Sequence, residues 1–167
     1  VMQFELNFYA IVKQQSTGQA AFELLADPQT GAVFPEFGPN MMWNTTYGNM
    51  GAMGGMASMM GSTPGMMGGS PTGMMSGASG MMSGAWGPTT PTVAPSVSAD
   101  QAQQIARQWL DTSQPGSTTE TPDVFPGYYT LHVTRDGQIT GMLSVNAYTG
   151  QVWFHAWHGS FRASTEA

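Results

Sequence analysis

The chain has 167 residues, and its 4 Lys and Arg against 10 Asp and Glu give it a formal net charge of -6 at pH 7. So few cations cannot neutralise a run of phosphates, so we expect no nucleic-acid partner. The absence of cysteine excludes disulfides, thiolate metal ligands and a thiol nucleophile. No run of about 18 apolar residues occurs, so we also expect no membrane span.

Residues 1–40 mix apolar and polar residues with the period that is typical of β-strands. Two turn signals, Ser16-Thr17-Gly18 and Thr30-Gly31, divide this region into three strands. No helical pattern precedes these strands. The region therefore predicts a first module that consists of an antiparallel three-stranded sheet and lacks a helix.

Residues 41–97 form a low-complexity segment of Gly, Met, Ser, Thr and Pro that joins the two globular regions. Thioethers are soft ligands that favour Cu(I), so one interpretation is a copper-binding segment. The other, which we favour, is that methionine packs flexibly between modules or subunits. The candidate copper ligands are Met50, Met53, Met56, Met59, Met60, Met66, Met67, Met74, Met75, Met81 and Met82.

The same segment contains two patterns of glycosylated chains. Asn44-Thr45-Thr46 matches the N-x-T acceptor pattern for N-glycans. The Pro/Thr-rich stretch that includes Thr89, Thr90 and Thr92 is typical of O-glycosylated linkers. An ordinary polar linker is the alternative for both, so glycans are possible partners only.

Residues 98–167 predict a second module that has a helix before its sheet. Ser98 and Gln101 form a capping-box pattern, and Gln114-Pro115-Gly116 ends the helix. Asp136-Gly137 then predicts a hairpin within a three-stranded antiparallel sheet. The apolar stripe that packs the helix on this sheet, with Trp109 filling the core, is Ala102, Ile105, Ala106, Trp109 and Leu110. The fold class is therefore α+β.

The two modules are related in sequence. Residues 7–12 match residues 127–132, and both modules contain the pattern Asp/Asn-x-x-Thr-Gly-x-Val-aromatic, at 27–34 and 146–153. This pattern resembles the PepSY family. The resemblance implies an extracytoplasmic protein without known catalytic residues, either an inhibitor of a secreted peptidase or part of a surface protein.

The residues that carry chemistry are few and dispersed. His155 and His158 lie at the end of the last predicted strand, where residues three apart face opposite sides, so we expect packing or exposure rather than chelation unless the chain turns there. His132 is expected on a sheet surface or in the core. The carboxylates Glu5, Glu23, Asp27, Glu36, Asp123 and Asp136 show no acid–base pairing in their spacing. We therefore expect no enzymatic activity.

The favoured hypothesis is a secreted structural protein, a subunit of an extracellular fibre or surface assembly made from copies of itself. In this hypothesis the segment 41–97 packs between modules or subunits, and no cofactor is bound. The first alternative is an extracytoplasmic Cu(I)-binding protein, and the second is a PepSY-type peptidase inhibitor or partner. An extracellular or cell-surface location is expected, with the periplasm as the alternative.

Overall fold

The computed structural model describes residues 1–48 and 94–165, which form an α+β fold with two antiparallel sheets and one main helix. In chain order the elements are β1 (Met2–Phe4), β2 (Phe8–Lys13), β3 (Ala20–Ala26), β4 (Val33–Pro35), α1 (Pro39–Met42), α2 (Ala99–Ser113), β5 (Thr118–Thr119), β6 (Asp123–Phe125), β7 (Tyr128–Arg135), β8 (Gln138–Asn146), β9 (Val152–Phe154) and β10 (Phe161–Ser164).

Each sheet has five strands, so the prediction of three strands per sheet was wrong. The first sheet has the order β10–β1–β2–β3–β4, and in the second β7 pairs with β5, β6 and β8, and β8 with β9. The four additional strands are two to four residues long. A strand of two to four residues contains at most two repeats of the alternation between apolar and polar side chains. Sequence periodicity therefore cannot reveal it.

The last strand of the chain crosses from the second module to the first sheet. β10 pairs antiparallel with β1, and Met2 lies opposite Ser164 in this ladder. The region 98–167, assigned to the second module from the sequence, thus contributes an edge strand to the first sheet. The first boundary, at residue 40, falls within α1.

The repeated motif forms the same turn in both modules. Asp27 Oδ1 accepts hydrogen bonds from the backbone N–H groups of Gln29 and Thr30, both at 2.8 Å. Asn146 Oδ1 accepts equivalent bonds from Tyr148 at 2.9 Å and Thr149 at 3.0 Å. These side-chain bonds stabilise the turn that leads into the third strand of each repeat.

Helix α2 begins and packs as predicted. Ser98 Oγ accepts from the N–H of Gln101, whose side chain accepts in return from the N–H of Ser98. Ala102, Ala106 and Leu110 are fully buried against the second sheet. Trp109 is only half-buried and stacks on Phe154 at the margin of this core, so it does not fill the centre as expected.

The two faces of the second sheet pack against different partners, because side chains alternate along a strand. Tyr129, Leu131 and Val133 belong to the core beneath α2. Tyr128 and Met142 belong instead to apolar clusters shared with the first sheet. Residues 1–48 and 94–165 thus form three layers, with the second sheet between the helix and the first sheet.

Within residues 1–48 and 94–165, no helix has the length and apolar character needed to cross a lipid bilayer.

Candidate functional site

Three titratable side chains meet at the junction of the two modules. Glu36 lies in the loop between β4 and α1, His155 follows β9 directly, and His158 lies in the turn that leads into β10. Their exposed fractions are 1%, 2% and 1%. Because β10 returns to pair with β1, the turn that carries both histidines is brought against Glu36. We name Glu36, His155 and His158 the junction triad.

The carboxylate of Glu36 is the centre of the junction triad. Its Oε1 lies 2.9 Å from His158 Nε2 and 3.2 Å from His155 Nδ1. The indole Nε1 of Trp157 donates to the same oxygen at 2.9 Å. The Trp157 ring also stacks on His155, with 4.7 Å between ring centroids. Three donors or ligands from one short turn therefore converge on one carboxylate.

A hydrogen-bond chain fixes which nitrogen of His158 faces Glu36. Asn7 Nδ2 donates to the backbone carbonyl of Trp157 at 3.0 Å, which turns Asn7 Oδ1 toward His158 Nδ1 at 2.8 Å. An amide oxygen only accepts, so Nδ1 carries the hydrogen. His158 Nε2 is therefore the nitrogen that points at Glu36. The Phe4 ring also stacks on this imidazole, with 4.4 Å between the ring centroids.

His155 is held by hydroxyl groups of the second sheet. Its Nε2 lies 2.9 Å from Ser144 Oγ, and Ser144 Oγ lies 2.9 Å from Thr130 Oγ1. A serine hydroxyl that donates to Thr130 can accept from His155 Nε2–H. With the hydrogen on Nε2 the imidazole presents the lone pair of Nδ1 to Glu36, and with the hydrogen on Nδ1 it presents a donor.

Three atoms of the junction triad remain without a well-aligned hydrogen bond. Among the described residues, Glu36 Oε2, His155 Nδ1 and His158 Nε2 are buried and have no hydrogen-bond partner. The nitrogens lie near Glu36 Oε1 in distance, but not with the alignment of a hydrogen bond. A buried polar atom left unpaired costs about 1–3 kcal/mol, so these three atoms require an explanation.

A second buried carboxyl group, Glu23, lies on β3 next to the junction triad. It is 0% exposed, and it accepts from Tyr9 OH at 2.6 Å through Oε1 and from Tyr128 OH at 2.8 Å through Oε2. Burial, followed by the nearby Glu23 carboxyl, raises the pKa of both tyrosines. Tyr9 and Tyr128 therefore act as neutral hydrogen-bond donors.

Asn40, at the second position of α1, connects the two acidic residues through their backbones. Its Nδ2 donates to the carbonyl of Glu23 at 3.2 Å and to that of Glu36 at 3.0 Å. Its Oδ1 accepts from the Glu23 N–H at 3.1 Å and lies 3.2 Å from Tyr128 OH, whose single hydrogen is shared between Asn40 and Glu23. One side chain thus sets the spacing between β3 and the loop that carries Glu36.

The two acids have opposite pKa shifts. Burial alone would raise the pKa of Glu36, but the attraction and hydrogen bonding of His155 and His158 outweigh it and lower the pKa to about 2. Burial raises the pKa of Glu23, and repulsion from Glu36 adds to this, against the opposing hydrogen bonds of its hydroxyl neighbours. Burial lowers the pKa of His158 despite its contact with Glu36.

His155 and His158 do not face opposite sides, because β9 ends at Phe154 and the chain turns before His158, which is the exception that the sequence left open. Both rings pack on aromatic side chains, as the sequence predicted. Glu36 was not linked to them, since only the non-local pairing of β10 with β1 brings it near. The sequence did contain a local signal for this turn, because the turn-forming Gly159 directly follows the pattern His155-x-x-His158. His132 lies apart from the triad, with Nδ1 3.4 Å from Glu120 Oε2.

A second candidate site is an apolar surface at the β4 edge of the first sheet. Four large side chains within ten residues of sequence are exposed there: Val33 by 63%, Phe34 by 36%, Phe37 by 43% and Met42 by 68%. Phe34 and Phe37 stack with their ring centroids 6.1 Å apart. We name these four residues the β4-edge surface.

Asn44, the other predicted site residue that the structure describes, joins neither site. Asn44 is 7% exposed, and its Nδ2 donates to the carbonyl of Ala21 at 2.8 Å, so a glycan at this nitrogen requires that bond to break. Thr89, Thr90, Thr92 and every methionine from Met50 to Met82 lie outside the described residues. Glycosylation and Cu(I) binding there stay predictions.

Comparison of the chain with known protein families, curated proteins and solved structures gave no match. The resemblance to the PepSY family therefore stays a prediction, based on the motif copies at 27–34 and 146–153.

Proposed function

We propose that this chain is a non-enzymatic structural protein that acts outside the cytoplasm as a subunit of an assembly of its own copies. The observation that carries the proposal is the β4-edge surface. Phe34 and Phe37 stack on each other, and clusters of exposed apolar side chains are typical of protein–protein contact sites rather than of ordinary monomer surface.

The position of the β4-edge surface favours contact with another chain. β4 is an outer strand, so one side of its backbone has no strand partner among the described elements. Such edges are commonly protected by charged side chains, and Val33, Phe34 and Pro35 offer none. Pro35 lacks an N–H group, which limits ladder formation. We therefore expect copies to meet mainly through side-chain burial.

A further exposed apolar residue lies in the turn between β1 and β2 of the same sheet. Leu6, in the turn between β1 and β2, is 59% exposed. Apolar surfaces on different sides of one subunit permit head-to-tail contacts, and contacts of this kind that do not close into a ring produce filaments.

The buried acids and histidines support a structural role in another way. Glu23, Glu36 and His155 are at most 2% exposed, so these groups stabilise the junction and do not meet a substrate at the surface. The junction holds the two modules in one fixed arrangement, which a repeating subunit requires.

Sedimentation velocity over a range of concentrations tests the proposal with two matched variants. Val33→Lys places a charge on the β4-edge surface, whereas Val124→Lys places the same charge on β6, where the valine is 54% exposed. We expect the wild type and Val124→Lys to form large species as concentration rises, and Val33→Lys to remain smaller. A wild type that stays monomeric at every concentration contradicts the proposal.

A further inference from the structure

The junction triad has the donor set of a transition-metal site. Its three ligand atoms lie within 4.8 Å of one another. Around a tetrahedral zinc ion with bonds of 2.0–2.1 Å, neighbouring ligand atoms are about 3.3 Å apart. The distances of 2.9 Å and 3.2 Å from Glu36 Oε1 to the two nitrogens are close to that value. The distance between the two histidine nitrogens is at most 4.8 Å, so binding of one ion by all three residues requires them to approach by no more than about 1.5 Å.

The groups behind the triad hold it in a binding orientation. Asn7 Oδ1 accepts a hydrogen bond from His158 Nδ1–H, and Ser144 Oγ forms a hydrogen bond with His155 Nε2. Metal-binding histidines characteristically pair their second nitrogen in this way, which fixes the tautomer and aims the free nitrogen at the ion. Trp157 donates to Glu36 Oε1 and leaves Oε2 free.

A proton explains this arrangement less well than a metal ion. One proton on His158 Nε2 serves that contact only, and with the His155 hydrogen on Nε2 the Nδ1 lone pair faces a carboxylate. A divalent ion accepts both nitrogen lone pairs and a carboxylate oxygen together, and so accounts for the unpaired His155 Nδ1 and His158 Nε2 at once.

The charge balance of the interior favours a dication as well. Glu36 is a buried acid, with an exposed fraction of 1%. The four Lys and Arg residues of the chain are all exposed, so within the described structure no buried Lys or Arg compensates its carboxylate. Buried carboxylates ordinarily pair with a cation or coordinate a metal.

We propose that Glu36, His155 and His158 form a binding site for one divalent transition-metal ion of the zinc class. Two imidazoles and one carboxylate suit borderline ions such as Zn²⁺ and Co²⁺, not the soft Cu(I) that thioethers favour. This site is therefore separate in chemistry and in sequence from the methionine segment. Its ion joins the loop after β4 to the turn before β10, and does not depend on self-assembly.

The test uses the full chain, freed of metal with a chelator and then titrated with Zn²⁺ by calorimetry and with Co²⁺ by visible absorption. We expect one equivalent to bind, with the d–d bands of a four- or five-coordinate Co²⁺ site. His155→Gln and Glu36→Gln abolish this binding, whereas His132→Gln, a matched change outside the triad, leaves it intact. Asn7→Ala and Ser144→Ala weaken it by roughly 10–100-fold, as expected of positioning residues.

Circular dichroism shows whether each variant folds. If the triad variants do not, X-ray absorption at the zinc edge of the wild type decides the matter. Nitrogen and oxygen neighbours with outer-shell imidazole scattering support the site. Sulfur neighbours overturn it, because they assign the ion to methionines. Failure of the wild type to bind a stoichiometric ion, or unchanged binding in folded His155→Gln and Glu36→Gln, overturns it equally.

Discussion

Trp157 donates its indole N–H to Glu36 Oε1 at 2.9 Å, and this bond ties the turn after the second sheet to the loop that leaves the first. The same turn carries both histidines of the triad and leads into β10, which completes the first sheet. The two modules are therefore joined by a strand and by a buried polar centre. Substitutions at this centre are expected to affect the stability of both modules together.

Glu36→Gln removes the charge that the two histidines stabilise. The folded pKa of about 2 lies below the ordinary 4.5, so this stabilisation is present above about pH 4.5 and is lost as pH falls toward 2. We expect the variant to lose on the order of 3 kcal/mol of unfolding free energy at pH 7, and much less at pH 3.

Urea unfolding at both pH values, with a chelator present, measures this difference. Glu120→Gln, a change at a side chain that is 52% exposed, is the control and should be nearly neutral. Equal stability of Glu36→Gln and wild type at pH 7 would show that the contacts of the ionised Glu36 carboxylate contribute nothing to the free energy of unfolding.

Glu23→Gln is expected to have the opposite pH dependence. The pKa of Glu23 is raised in the folded state, so the unfolded chain releases this proton first. Stability from the neutral carboxyl group is therefore full below about pH 4 and declines as pH rises toward the folded pKa. The amide stays neutral and can keep the contacts with Tyr9 and Tyr128.

We expect Glu23→Gln to match the wild type near pH 4 and to be more stable than it at pH 7. Chemical denaturation at the two pH values, again with a chelator, measures the free energy of unfolding of both proteins. A variant that is less stable than the wild type at pH 7 contradicts a neutral Glu23.

Gly38→Ala tests the close packing at the junction. Gly38 has φ +76°, and an added Cβ would lie 2.9 Å from the ring of Trp157. Gly18 has a similar φ of +71° with nothing within 4 Å of the added atom, so Gly18→Ala measures the backbone strain alone. We expect about 1 kcal/mol of destabilisation for Gly18→Ala. Gly38→Ala should lose clearly more, both through the contact with Trp157 and because its ψ of -125° lies outside the left-handed α region. Equal losses of stability for the two variants in thermal unfolding would show that the Trp157 ring moves aside without an energetic cost.

Ser98→Ala removes the cap of α2. Ser98 Oγ accepts from the N–H of Gln101, and the loss of such a cap costs about 1 kcal/mol. Ser16→Ala, in an exposed turn of the first module, is the matched control. Because α2 covers the second sheet, thermal unfolding should show a lower midpoint for Ser98→Ala alone. Identical midpoints would mean that the cap adds no net stability.

The features that the sequence predicted correctly are local ones. The capping box of Ser98, the end of α2 near Gln114 and the two Thr-Gly turns depend on residues within a few positions of each other. Their hydrogen bonds follow from residue type and short spacing. Both α+β character and antiparallel pairing followed from these elements.

The junction triad depends on contacts that no local pattern specifies. Glu36 meets His155 and His158 only because β10 pairs with β1 from the far end of the chain. β10 has four residues and β1 has three, so neither gives a periodic signal. The exposure of Val33 and Phe34 was likewise unpredictable, since a short apolar run looks the same in a core and at an edge.

The most direct test of self-assembly is negative-stain electron microscopy of the purified full chain, with and without a metal chelator. We expect filaments or ordered arrays in both samples, because the contacts between copies depend on the β4-edge surface and not on the metal site. Dispersed single particles in both samples would contradict the proposed structural role.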